Sequence, residues 1–360
     1  MITRRGFTWA FGAAAVWGQA ETPAPDIDWI DARQLTIEGL GFKDLASPYD
    51  RLPARAEKTV RDVVWRLSRD SSGVVVRFMA NTQAIHARWT VGNKTLTSAA
   101  MTAVASSGLD LYARDNAGKW RWLGIGRATK YPENVEPLAT RIPVGDREYM
   151  VYLPLRNSVV SLELGVPKRS RIDKGPQRSG PKPLVFYGTS ITHGAAASRP
   201  GMTHVAILGR MMNREVINLG FSGNGKMEPE VTKLVAELDA SVYILDCLPN
   251  MTAKDINERA EACVKQLRAA RPSTPILLVE DRNYADAFLN PQRAERNQTN
   301  HEAMRAVYAK LVKEKIPGLR YLRGEELLGD DGEATIDGSH PTDLGFMRQA
   351  IAFATAMKGL

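Results

Sequence analysis

The stretch Pro183-Leu184-Val185-Phe186-Tyr187-Gly188-Thr189-Ser190-Ile191-Thr192-His193-Gly194 opens the second half of the 360-residue chain. A continuous apolar run followed by Gly-Thr-Ser reads as a strand buried on both faces and a turn beyond it. Four more apolar runs follow, at 216–219, 242–245, 276–279 and 319–322. Between them lie helix-spaced segments at 204–213, 228–238, 256–270 and 293–315. Strand and helix in alternation predict a parallel sheet with helices on both sides, a three-layer αβα domain over 183–360. Ligands of such sheets sit beyond the carboxyl ends of the strands. Ser190 lies there, as do residues 220–225 and 246–250.

The first half has a different rhythm. Short β-branched or alternating runs occur at 74–78, 85–91, 121–124, 149–153 and 159–164, with a turn at Asn116-Ala117-Gly118. Several short strands separated by turns predict a β-sandwich over 31–167. Residues 168–182, rich in Lys, Arg, Pro and Gly, read as a linker, and 21–30 as a tether. Residues 1–20 read as an export signal. Arg4-Arg5 lead an apolar stretch from Phe7 to Trp17, and Gly18-Gln19-Ala20 offer small residues for cleavage. The stretch is shorter than the ~20 residues that span a bilayer, so no stable membrane insertion is expected once the signal is removed. The paired arginines resemble a twin-arginine signal, which places the protein in the periplasm or outside the cell. A protein exported folded has little use for disulfides, so Cys247 and Cys263 are expected to be free core residues.

Composition narrows the partners. The net charge is +8, but no dense basic stripe with interleaved aromatics marks a nucleic-acid surface. The pattern fixes no oligomeric state.

Chemistry enters with Asp337-Gly338-Ser339-His340-Pro341, nearly 150 residues after Ser190. A hydroxyl is a poor nucleophile until a base takes its proton, and the base needs a third group to set its tautomer. Ser190, His340 and Asp337 are candidates for those roles. Gly338 permits the tight turn that a spacing of three demands.

Four blocks together resemble the SGNH (GDSL-like) hydrolases. Ser190 in Gly188-Thr189-Ser190 matches the nucleophile block. Gly223 in Asn218-Leu219-Gly220-Phe221-Ser222-Gly223-Asn224 matches the glycine block. Asn250 in Asp246-Cys247-Leu248-Pro249-Asn250 matches the asparagine block, and Asp337 with His340 the Asp-x-x-His block. The resemblance implies a flavodoxin-like hydrolase domain in which Ser190 attacks an acyl carbonyl. The backbone N–H of Ser190, with Gly223 and Asn250, would form an oxyanion hole, without metal or cofactor. In the first half, Gly108-Leu109-Asp110-Leu111-Tyr112 resembles the Gly-x-Asp-Leu-Tyr motif of a β-domain that precedes some SGNH esterase domains. The implied architecture is a jelly-roll-like sandwich followed by the hydrolase domain. The implied substrate is an acylated carbohydrate or other small ester, acetyl above all. Two blocks depart from the common pattern: Thr189 stands where an Asp is usual, and Asn250 lies between Pro249 and Met251. Neither change removes a catalytic group.

Other readings compete at several positions. The same triad serves an acyltransferase, a lipase or a thioesterase, and a glycan-binding protein without catalysis is a further alternative. Ser190 and Asn250 each suit a helix cap, and His340 suits a turn. His193, Glu280 and Asp110 are candidates for substrate contact. Against that, His193 fits a local loop role, Glu280 a salt-bridged loop and Asp110 a turn anchor. His86, His204 and His301 show no ligand spacing, which favours structural roles. Trp89, Trp120 and Trp122 suit either a sugar-stacking face or the sandwich core, with the core favoured.

Overall fold

The computed structural model describes residues 26–178 and 180–359. The expected export signal, and the tether as far as residue 25, lie outside the described residues. No helix among the described residues is long and apolar enough to cross a membrane.

The first domain is built from β1 (Ile27–Asp31), β2 (Thr36–Glu38), β3 (Val75–Asn81), β4 (Ala84–Val91), β5 (Leu109–Arg114), β6 (Trp120–Gly126), β7 (Glu133–Thr140), β8 (Asp146–Tyr152), β9 (Val159–Pro167) and β10 (Arg171–Lys174), with short helices α1 (Asp62–Ser68) and α2 (Ala103–Ser107). One sheet runs β1-β9-β4-β7 and the other β10-β3-β8-β5-β6, with β2 added beside β3. All their pairings are antiparallel. Side chains alternate across each strand, and the inward set of Trp89, Phe78, Tyr149, Leu109 and Leu111 closes one core. Two boundaries need correction. Residues 27–30, read as tether, pair with β9, and 171–174, read as linker, pair with β3. Polar edge strands lack the continuous apolar run that marked the others.

The second domain holds β11 (Leu184–Gly188), β12 (Val216–Gly220), β13 (Val242–Asp246), β14 (Ile276–Val279) and β15 (Leu319–Leu322). They form one parallel sheet in the order β12-β11-β13-β14-β15. That is the flavodoxin-like order, with its switch point at the carboxyl end of β11. The helices are α3 (Ser190–His193), α4 (His204–Met211), α5 (Pro229–Glu237), α6 (Ala253–Ala270), α7 (Pro291–Lys313) and α8 (Asp343–Ala356). Leu234, Val264 and Met304 of α5, α6 and α7 cover one face of the sheet, and Leu208, Phe346 and Phe353 of α4 and α8 the other. Both cysteines are free and buried among them.

The domains are joined by more than a linker. The first core of the hydrolase sheet also takes in Phe42, Leu52, Val64 and Trp65 from the first half. Strand β5 explains the Gly-x-Asp-Leu-Tyr motif by its period of two. Leu109 and Leu111 point into the sandwich core, while Tyr112 packs with Tyr152 and Ala206 of α4. Asp110 follows Tyr112 outward. It is fully buried and accepts hydrogen bonds from Arg199 Nη1 and the Gly201 N–H, both at 2.8 Å.

Candidate active site

Register brings the site together. Gly188 at the end of β11 pairs with Gly220 on one side and Asp246 on the other, so three loops leave the sheet at one level. Ser190 is the first residue of α3, and Thr189 caps that helix by accepting from the Ile191 N–H. Below it, Thr192 Oγ1 donates to Asp246 Oδ2 at 2.7 Å. Arg282 forks onto both Asp246 oxygens and also donates to Gln349 Oε1 of α8. Burial alone would push the Asp246 carboxyl up, but the Arg282 guanidinium outweighs it and holds it at about 2. This ion pair, 1% and 0% exposed, is the floor of the site.

His340 hangs over that floor on the loop before α8. A bridge between Thr335 and Pro341 closes the loop at its base. Gly338 takes φ +85°, a conformation that a β-carbon would strain. Asp337 then turns back on its own loop. Its Oδ1 accepts the N–H groups of Ser339 and His340 at 2.9 and 2.7 Å. Its Oδ2 lies 2.7 Å from His340 Nδ1. Partial burial opposes ionisation of Asp337, but these hydrogen bonds, that of the imidazole first, hold its pKa below the ordinary value. With the proton on Nδ1, Nε2 is left to accept, and it lies 2.9 Å from Ser190 Oγ. Serine, histidine and aspartate thus form one chain of hydrogen bonds.

Gly223 and Asn250 sit on the two loops that flank the end of β11. Gly223 takes φ +69°, and a Cβ built there would meet no atom within 4 Å. Among the described residues, the N–H groups of Ser190 and Gly223 find no acceptor. Asn250 spends one amide hydrogen on Asn224 O at 2.8 Å, which ties it to the glycine loop and leaves its second hydrogen free. Nothing in the sequence pointed to Arg296 of α7. It donates to the carbonyls of Pro249 and Met251 on either side of Asn250, at 2.8 and 3.0 Å. Asn300 adds a bond to Met251 O at 3.0 Å.

The three candidates for substrate contact are corrected. His193 is fully buried, with Nδ1 3.3 Å from Ser222 Oγ and Nε2 3.3 Å from Arg51 Nη2. Burial, then Arg51 and Arg156, push its pKa well down, so it stays neutral. Glu280 is fully buried, its oxygens taken by Arg305, Tyr321 and the Gly324 N–H. Asp110 belongs to the domain junction. His193 and Glu280 are held by local partners and Asp110 through its Oδ2, and none of the three has surface to offer. Trp89 is in the sandwich core, whereas Trp122 is half exposed beside Arg199.

Glu280, His301 and Glu325 also bring potential metal-ligating atoms within 4.8 Å of one another. The Arg305 guanidinium already bonds both carboxylates, so the charge a metal would supply is present. His301 Nε2 lies 2.8 Å from the Asp281 carbonyl. A cavity of about 640 Å³ flanks this cluster, walled by Tyr284, His301, Glu325 and Thr335.

Comparison with known proteins gives a consistent picture. The GDSL-like lipase/acylhydrolase family model matches residues 181–358, and that of the N-terminus of SGNH-hydrolase-type esterases (GxDLY) matches 27–172. A protein from Bacteroides ovatus described as a GDSL-like lipase is 34% identical with a TM-score of 0.88, over 92% of this chain and 97% of its own. A salicylyl-acyltransferase from a tetracycline biosynthetic pathway is 18% identical with a TM-score of 0.75, over 92% and 96%. A family two carbohydrate esterase from Clostridium thermocellum, solved with cellohexaose, is 11% identical with a TM-score of 0.57, over 80% and 92%. The last two share the fold. No curated protein sequence matches.

Proposed function

Since the chain belongs to the family of GDSL-like lipases and acylhydrolases, we propose that it is a serine esterase that removes small acyl groups, acetyl above all, from carbohydrates. The observation that carries this reading is the unbroken chain from Ser190 Oγ through His340 to Asp337, facing two N–H groups without acceptors. Ser190 Oγ attacks the ester carbonyl while His340 Nε2 takes its proton. Asp337 fixes the imidazole and offsets its new charge. The N–H groups of Ser190 and Gly223 and the free amide hydrogen of Asn250 receive the developing oxyanion. His340 returns the proton to the departing sugar oxygen, and water, activated the same way, releases the acid from Ser190. The carbohydrate part rests on the sandwich-plus-hydrolase layout. The Arg4-Arg5 segment motivates a second part, export to the periplasm or beyond.

The test is acetate release from acetylated xylo-oligosaccharides and from p-nitrophenyl acetate. Wild type is expected to cleave both, and a folded Ser190→Ala variant to lose ~10⁴-fold or more on each. Cleavage of the aryl ester alone would remove the carbohydrate assignment. An active Ser190→Ala variant would remove the serine mechanism.

A further inference from the structure

A second cleft, of about 520 Å³, opens beside the glycine loop. Its wall comes from the sandwich domain: Arg66, Arg69 and Asp70 at the end of α1, Asn93 after β4, and Arg156 and Ser158 after β8. Arg156 ties this wall to the glycine loop, since its Nη1 donates to Ser222 Oγ, next to Gly223. Neither Arg66 nor Arg156 has a carboxylate within 4 Å among the described residues. Arg69 is partnered by Asp50, with Nε to Oδ1 at 2.9 Å. Behind the wall lies a fourth guanidinium, Arg51, 1% exposed and bonded to backbone carbonyls.

Charge is therefore unbalanced here. Four arginines face two carboxylates, Asp50 and Asp70. Burial pushes both acids up to about 6, so they neutralise still less of the positive charge near that pH. A cleft lined with one sign of charge focuses its field on a ligand of the other. Guanidinium forks suit planar oxyanions, to which they bind bidentately. No lysine lines the cleft.

Resting on the esterase reading, we infer that this cleft is a subsite for an anionic substituent of the substrate, a carboxylate carried by an acylated acidic sugar. Arg156 and Arg66 are the pair that meets it. Arg156 stands at the Ser222 turn, next to the Gly223 N–H that would receive the acyl carbonyl. The amide of Asn93 and the hydroxyl of Ser158 supply hydrogen-bonding partners for sugar hydroxyls.

Calorimetric titration of the Ser190→Ala protein with glucuronate and with glucose tests the cleft without turnover. Glucuronate is expected to bind at least about tenfold more tightly than glucose, weakening with added salt as a charge contact should. The Arg66→Gln, Arg156→Gln double variant should lose that preference. Equal binding of the two sugars, or a preference that survives the double variant, overturns the inference. Sodium sulfate that binds as tightly as glucuronate also overturns it, since the cleft would then hold any anion. Kinetics separate the two readings. Arg66→Gln, at an exposed and unpartnered residue, should leave p-nitrophenyl acetate hydrolysis unchanged while lowering kcat/KM on acetylated glucuronate about tenfold. A wild type inactive on every ester fails the esterase reading, while glucuronate binding still decides the cleft.

Discussion

Two aspartate–histidine pairs, one on the site's loop and one beneath it, differ in almost every respect. Asp337 and His340 sit on an exposed loop, 2.7 Å apart, with side chains 48% and 33% exposed. Asp246 and His204 lie under the sheet edge, 3.7 Å apart and fully buried. His204 is stacked against Phe346 and Phe353, and both its ring nitrogens lack hydrogen-bond partners. Burial pushes its pKa down, so it stays neutral and serves as an aromatic surface. Proton transfer needs a histidine that substrate can reach and a carboxylate aimed at one nitrogen. Only the exposed pair has both, and the buried pair is framework.

The contrast predicts opposite phenotypes. Asp337→Ala should lower kcat by ~10³–10⁴-fold and leave the urea midpoint near that of wild type. Asp246→Ala should cost about 3–5 kcal/mol of stability, because it strands the buried Arg282 charge. Ester turnover and urea unfolding of both variants check this. A stability loss in the first, or a stable and merely inactive second, would break the distinction. Between these extremes lies the asparagine loop. Asn250→Ala should lower kcat ~100-fold or more. Arg296→Ala should lower it about 10–100-fold by loosening that loop, with KM little changed. An equal loss through KM alone would make Arg296 a fold residue only.

Much of this was legible in the sequence, for physical reasons. Strands buried on both faces must be largely apolar, so β11, β13 and β14 stand out, and β12 and edge strand β15 stay legible around Asn218 and the exposed Arg320. The triad was legible because Asp337 and His340 are local partners in a glycine turn. Strand β7, Glu-Asn-Val-Glu-Pro-Leu-Ala-Thr, was not, since it lies at a sheet edge and carries Pro137. Nor were Arg51, Arg282 and Arg296. Their partners are carbonyls or acids distant along the chain, and no spacing rule links an arginine to a carbonyl. In the sequence Glu280 stays open between substrate contact and a salt-bridged loop, because its position after β14 is right for a site, whereas its burial depends on Arg305 and Tyr321.

The smallest effect concerns a group at the boundary of the two regions. Asp281 is buried beside Arg282, with Oδ2 lacking a hydrogen-bond partner. Burial raises its pKa to about 6 from an ordinary 3.8. The native state therefore holds this proton more tightly than the unfolded chain does. Its contribution is favourable below pH ~4 and is lost as the pH rises through about 6. Asp281→Asn should leave stability unchanged near pH 4 and raise it by on the order of 2 kcal/mol at pH 7. Urea titrations at the two pH values measure it. A variant less stable at pH 7 would place Asp281 among the groups that the framework needs charged.

Arg51 also bears on the order in which the protein is made. Its guanidinium bonds Leu67 O and Asp70 O within the first domain, and Asn218 O and Gly220 O in the second. During synthesis the first 150 residues leave the ribosome well before β12 exists. Until β12 arrives, two of the four carbonyls that receive this buried cation are missing, and the first domain carries a charged gap in its wall. The seam around Arg51, with Phe42 and Leu52, therefore closes only once the hydrolase sheet is in place. Cutting the chain at the linker would leave a first fragment with an open seam rather than a finished domain.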